Sequence, residues 1–142
     1  PTLLVSPLNI NVPAPAGNTQ IVVSSNTGWI ATSNQPWCTV TASGMGNSII
    51  NVIYEENLQV TSRIAKITII VTGLPPVEVT VTQDGAAPIL LVTPPVQNVS
   101  EPAGNTAFSV TSNTNWQVSC DQAWCTVTLA GTGHAMQISR LA

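Results

Sequence analysis

The chain has 142 residues, 44% of them hydrophobic and only 6% charged, with a formal net charge of -3. Three Lys and Arg residues in total make no basic face to neutralise phosphates, so nucleic acid and anionic membrane surfaces are excluded as partners. The apolar residues fall in short runs, none near the roughly 20 that a spanning helix needs, so membrane insertion is excluded as well.

Two-residue alternation rich in Val, Ile and Thr runs through the chain without a sustained helical period, which predicts an all-β protein. Strands are predicted at residues 3–6, 19–25, 29–32, 38–42, 49–54, 63–72 and 77–83, with turn-rich punctuation at 13–18, 26–28, 34–36, 44–47 and 73–76. Seven short strands in under 90 residues fit a two-sheet sandwich. In "RIAKITIIV" the alternation turns Ala65, Ile67, Ile69 and Val71 to one face, and "VEVTVTQ" turns Val77, Val79 and Val81 inward. In the stretch from Trp37 to Thr41, Cys38 and Val40 share the inward face, while Trp37, Thr39 and Thr41 take the other.

A second copy begins at Pro88. Trp29 recurs as Trp116, an offset of 87 (116 minus 29). The same offset pairs Leu3-Leu4-Val5 with Leu90-Leu91-Val92, Trp37 with Trp124, and Gly44 and Gly46 with Gly131 and Gly133. Residues 1–87 therefore read as a complete copy and 88–142 as one lacking its C-terminal strands. In the last segment, the partners of Ile50, Val52 and Tyr54 are Gln137, Ser139 and Leu141, and Met136 and Ile138 sit one place out of phase. A slip of one residue exchanges the faces of a strand, so pairing of this tail in another register is expected. An uncovered apolar sheet favours self-association through the second copy, with disorder of this half as the alternative. The connection Asp84-Gly85-Ala86-Ala87-Pro88 is too short to act as a flexible tether.

The ordered set Leu3-x-Val5-Ser6-Pro7, Asn26-Thr27-x-Trp29, Trp37-Cys38-Thr39-Val40, Gly44-x-Gly46, a strand ending at Asn57, Arg63-x-Ala65-x-Ile67 and Val79-x-Val81-Thr82-Gln83-x-Gly85 resembles the BACON domain. This is a Bacteroidetes-associated module often found at protein N-termini. The resemblance covers residues 1–87 and then the front part of a second copy. It implies an immunoglobulin-like antiparallel β-sandwich in tandem, within secreted or surface-anchored proteins of gut Bacteroidetes and some of their phages. It also implies an extracellular or cell-surface location, neighbouring domains in a longer protein, and the carbohydrate or mucin binding proposed for the family. No export signal lies within these residues.

Each candidate site has a structural reading beside a functional one. Trp29 and Trp116 open the strand after the Asn-Thr turn, where a sandwich buries a large ring, and they are assigned to the core with Cys38, Val40, Ile67, Ile69 and Val79. Trp37 and Trp124 follow a turn and face away from the cysteine beside them. They either cap the core or present a flat apolar surface to a glycan or mucin, with Asn34, Gln35, Asp121 and Gln122 as the polar groups at hand. Repetition favours the core, since copies that share a core share its rings.

Catalysis has little material. His134 lies in the loop "GTGHAM" without a nucleophile or carboxylate partner nearby in sequence, and reads as a solvated loop residue. Of the six acids, only Glu55 and Glu56 adjoin, and alternation points them apart, against a glycosidase dyad. Three cysteines and one histidine without Cys-x2-Cys spacing argue against a metal, and no cofactor is expected. Cys120 stands where the first copy has Ser33, so a Cys120–Cys125 disulfide across the intervening turn is one outcome and three free thiols the other. The reading is of a non-enzymatic β-sandwich repeat acting as spacer or interaction module, with a carbohydrate-binding module as the alternative. A fragment of an enzyme whose active site lies outside these residues is a distant third.

Overall fold

The computed structural model describes residues 1–127 and 130–141, and the side chains of all of these up to Ala135. The chain divides into two compact units, Pro1–Ala86 and Ala87–Ala142. All fifteen regular elements among the described residues are strands, so the all-β class is borne out.

The first unit contains β1 (Leu3–Ser6), β2 (Asn9–Val12), β3 (Gly17–Ser25), β4 (Gly28–Ser33), β5 (Cys38–Val40), β6 (Ser43–Met45), β7 (Ser48–Tyr54), β8 (Arg63–Ile70) and β9 (Val77–Gln83). They form a four-stranded sheet, β1-β3-β7-β5, and a five-stranded sheet, β2-β9-β8-β4-β6. The inward residues of both sheets make one core, in which Ile21, Ile50, Val52, Ala65, Ile67, Ile69, Val79 and Val81 are wholly buried. Period-two alternation is the reason: each strand carries its β-branched residues at every second place and so gives one face to the opposite sheet.

Two strands lie outside the predicted set. β2, with the sequence NINV, lies between the predicted strand at 3–6 and the punctuation at 13–18, and it owes its strand geometry to pairing with β9. That pairing is parallel, the one departure from an antiparallel sandwich in this unit. β6, with the sequence SGM, falls in a segment read as a turn; three residues with a central Gly carry no strand pattern of their own. Its place is set by packing, because a Cβ on Gly44 would stand 2.1 Å from Cζ2 of the Trp29 ring. Trp29, 2% exposed, lies over Gly44 and donates from Nε1 to Gly46 O at 3.2 Å.

The second unit contains β10 (Leu90–Thr93), β11 (Gly104–Ser112), β12 (Asn115–Gln117), β13 (Cys125–Val127), β14 (Ala130–Thr132) and β15 (Ala135–Leu141). Its sheet β10-β11-β15-β13 repeats β1-β3-β7-β5 strand for strand, and the ribbon β12-β14 repeats β4-β6. Adding 87 to the numbers of β8 and β9 passes residue 142, so the sequence holds no counterpart of either. β12 is shorter than β4 for the same reason, since Ala31, Thr32 and Ser33 are held as strand by β8.

The expected change of register in the tail does not occur. Gly104 pairs with Leu141 and Val110 with Ala135, as Gly17 pairs with Tyr54 and Val23 with Ser48. The turn sets this register, because Gly46 and Gly133 share a φ of 62°, a left-handed conformation suited to glycine. Each also donates its N–H to the carbonyl of Thr27 or Thr114.

Candidate functional site

The tryptophan turns are the natural place to look for a site, and the first unit shows what holds one together. Residues 34–37 form a turn closed by Cys38 N donating to Gln35 O at 3.2 Å. The Ser33 hydroxyl accepts from Gln35 N and donates to Gln35 O, both at 3.3 Å. Asn34 extends the ladder to β8, its N donating to Lys66 O at 3.0 Å and its Oδ1 accepting from Lys66 N at 2.8 Å. Ser33 Oγ and Asn34 Oδ1 are thus committed to backbone partners.

Trp37 itself is 8% exposed, a correction to the alternation that turned it outward with Thr39. The reason is local: β5 starts at Cys38, so Trp37 belongs to the turn and does not follow the parity of the strand. Its ring packs into the core cluster, and the Arg63 guanidinium lies over it at 4.2 Å from the ring centroid. Cation and ring attract through the quadrupole of the indole, and the stacked guanidinium covers the face that a sugar would use.

Arg63 links the ring to a polar network that the sequence reading passed over. Its Nε donates to Gln83 Oε1 at 2.8 Å and its Nη2 to the carbonyls of Glu55 (2.9 Å) and Glu56 (3.1 Å). Gln83 is wholly buried and donates from Nε2 to Pro13, Ala14 and Glu55 carbonyls. Asn57, also buried, donates to Thr61 O and Asp84 O and accepts from Gln59 N. The signal was present, since Gln83 stands at the inward parity of β9 after Val79 and Val81, and a polar residue there must find partners or cost stability. Among the described residues every buried side-chain nitrogen and oxygen is partnered.

The second unit places its turn the same way, with Cys125 N donating to Gln122 O at 3.2 Å. Trp124, however, is 52% exposed. Among the described residues no cation lies over its ring. Asp121 and Gln122 are exposed beside it. An apolar groove runs past Trp124 along Val92, Pro94, Gln97 and Phe108. Subtracting 87 gives Val5, Pro7, Ile10 and Ile21, and three of these four are core in the first unit, so the groove corresponds to sandwich interior.

Trp116 is buried and donates from Nε1 to Gly133 O at 2.9 Å, as Trp29 does to Gly46. Cys38, Ile67, Ile69 and Val79 are buried and Val40 is packed against them. His134 is exposed, yet its Nδ1 accepts from Ser112 N at 3.2 Å, the same bond that Asn47 Oδ1 takes from Ser25 N at 3.0 Å. It therefore serves as a turn acceptor and is not simply solvated. All three cysteines are free thiols. Burial pushes the Cys38 thiol above the ordinary range, offset in part by a hydrogen bond with Ser33. Among the described residues no group of three or more His, Cys, Asp and Glu side chains comes together, and no helix is long and apolar enough to cross a membrane.

A two-sheet module, written twice at a fixed offset with its rings held by backbone carbonyls, defines a class of β-sandwich repeat. The viral BACON domain matches residues 2–86 and 90–140, and the chain belongs to that family. BACON-type domains are non-catalytic, carbohydrate-associated modules. Among solved structures, a Bacteroides ovatus GH5 xyloglucanase in complex with a XXXG heptasaccharide is similar at 22% identity and a TM-score of 0.58. That match covers 61% of this chain and 19% of the xyloglucanase, so this chain corresponds to a small part of that enzyme, and the likeness is one of fold. A Bacteroides thetaiotaomicron protein is similar at 18% identity and a TM-score of 0.43, over 56% of this chain and 77% of that one. WR4, a C. elegans MSP family member, is similar at 17% identity and a TM-score of 0.40, over 59% and 97%. No curated protein matches the chain.

Proposed function

We propose that the chain is a non-enzymatic spacer or interaction module at an extracellular surface, with the tryptophans serving the fold. The observation that carries this reading is the cover on Trp37: the ring is buried, the Arg63 guanidinium lies on it, and Asn34 is spent on β8. A spacer also needs anchored ends. Ala86 N donates to Gln59 O at 2.7 Å within the first unit, and Ala87 O accepts from Asn113 Nδ2 at 2.9 Å within the second. Gly85 is pressed onto the backbone, where a Cβ would stand 2.1 Å from Val60 O. The connecting residues are thus tied into the units at both sides.

The second reading is a carbohydrate- or mucin-binding module, and the exposure of Trp124 beside Asp121 and Gln122 is what favours it. Stacking on an open indole suits a sugar ring, although the groove it faces is apolar and corresponds to core. Glycan-array and mucin-binding assays on the 142-residue chain separate the two. A spacer shows no saturable binding below about 1 mM, which corresponds to roughly -4 kcal/mol. Saturable binding lost in Trp124→Ala and kept in Trp37→Ala, with both variants folded, would establish the second reading.

A further inference from the structure

The repeat carries one chemical substitution at an otherwise matched place. In the first unit Ser33 and Cys38 flank the turn, which is closed by Cys38 N donating to Gln35 O at 3.2 Å. In the second, Cys120 replaces the serine, and the turn is closed by the same 3.2 Å bond, from Cys125 N to Gln122 O. Cys120 and Cys125 therefore flank a single closed turn, and the neighbouring Cys120 pushes the Cys125 thiol above the ordinary range. Cys120 is exposed and Cys125 half-buried, so an oxidant in solution reaches the pair, whereas Cys38 is buried and has a hydroxyl, not a thiol, beside it.

We propose that Cys120 and Cys125 are a redox-active pair that closes into an intrachain disulfide, clasping the turn that carries Asp121, Gln122 and Trp124. The oxidant is a low-molecular-weight disulfide. The Cys120 thiolate attacks one sulfur of the oxidant and releases the other as a thiol, forming a mixed disulfide. The Cys125 thiolate then displaces the second oxidant thiol. One S–S bond forms in the protein, one breaks in the oxidant, and two protons pass from the protein thiols to the two departing thiolates. The disulfide brings the sulfurs to a separation of about 2.05 Å, a span suited to residues held on either side of one closed turn.

The test uses the whole 142-residue chain, reduced and then equilibrated with mixtures of reduced and oxidised glutathione. Thiol titration in denaturant should fall from three per chain to one, with the mass lower by two hydrogens and the chain monomeric on a non-reducing gel. Cys120→Ser reproduces the Ser33–Cys38 arrangement of the first unit and so leaves the turn intact; it should keep both remaining thiols under the same conditions. Cys38→Ala should still lose two. The proposal is overturned if the oxidised chain keeps three thiols, loses them as glutathione adducts or interchain dimers, or if Cys120→Ser forms a bridge between Cys38 and Cys125.

Discussion

Removing the guanidinium of Arg63 tests whether Trp37 is a lid on the core or a platform for a ligand. Arg63→Ala deletes three hydrogen bonds, to Gln83 Oε1 and the carbonyls of Glu55 and Glu56, together with the stacking contact at 4.2 Å. The carbonyls of Glu55 and Glu56 belong to exposed residues that water can reach, so most of the cost falls on Gln83. Its Oε1 is wholly buried and has no other donor, and leaving such an acceptor unsatisfied costs about 1–3 kcal/mol. The lost cation–π contact adds about 0.5–1 kcal/mol, since Arg63 is half-exposed. The expected loss is therefore about 1.5–4 kcal/mol, a large part of the roughly 5–15 kcal/mol that a small domain holds. Arg63→Lys keeps the charge but not the fork of donors, and should recover less than half of it. Urea unfolding of the 142-residue chain, followed through the amide signals of Ile21 and Val52, measures the loss in the first unit. A change under about 0.5 kcal/mol, the level of an ordinary surface substitution, would refute the network as described. Gain of saturable glycan binding on uncovering Trp37 would show that the ring is a masked platform.

Gly44→Ala drives a methyl into the Trp29 ring, 2.1 Å from Cζ2, and should cost at least about 1–3 kcal/mol by overpacking, read as a lower thermal midpoint of the first unit. His134→Ala removes the acceptor for Ser112 N and should speed exchange of that amide and cost about 1 kcal/mol, whereas His134→Asn restores the Asn47 arrangement and should do neither. Because burial raises the Cys38 thiol, the folded state keeps its proton where the unfolded chain releases one. Stability of the first unit should be level below about pH 8.5 and fall as pH rises through the folded value, a slope that Cys38→Ala removes and Cys120→Ser leaves. Leu90, Leu91 and Trp124 are more than half exposed, so light scattering should show concentration-dependent association of the 142-residue chain and a monomer for residues 1–86.

What the sequence revealed of the fold depended on whether a residue's partner was implied by its own strand. β1 and β9 match their predicted spans, and β8 its start, because alternation over four to eight residues carries its own evidence. β2 and β6 escaped because their geometry is imposed from elsewhere, by β9 and by the ring of Trp29. Trp37 was misplaced for the converse reason: strand parity was carried one residue past the start of β5 into a turn, where parity has no meaning. The network around Gln83 was legible in principle as a polar residue at an inward place. Its partners, Arg63 and the carbonyls of Pro13, Ala14 and Glu55, lie 20 to 70 residues away, and no local pattern joins them.

The two units act as an experiment on each other, because they differ while holding the same backbone. Six bonds recur at the offset of 87: Trp Nε1 to the carbonyl of Gly46 or Gly133, Ser Oγ to that of Thr27 or Thr114, the amide of that threonine to the same Ser Oγ, the amide of Gly46 or Gly133 to the threonine carbonyl, the amide of Cys38 or Cys125 to a Gln carbonyl, and the amide of Thr2 or Ile89 to an Asn Oδ1. Whatever recurs in this way is needed to build the sheet and its turn, and Trp29 and Trp116 fall in that set. Among the places where the offset fails are serine to cysteine at 120 and asparagine to histidine at 134. The histidine keeps the bond of the asparagine it replaces, so it changes the residue without changing the contact. The cysteine changes the chemistry at the turn, so that two thiols flank it where the first unit has a hydroxyl and a thiol. A pair of thiols flanking one closed turn is therefore chemistry that the first unit does not have.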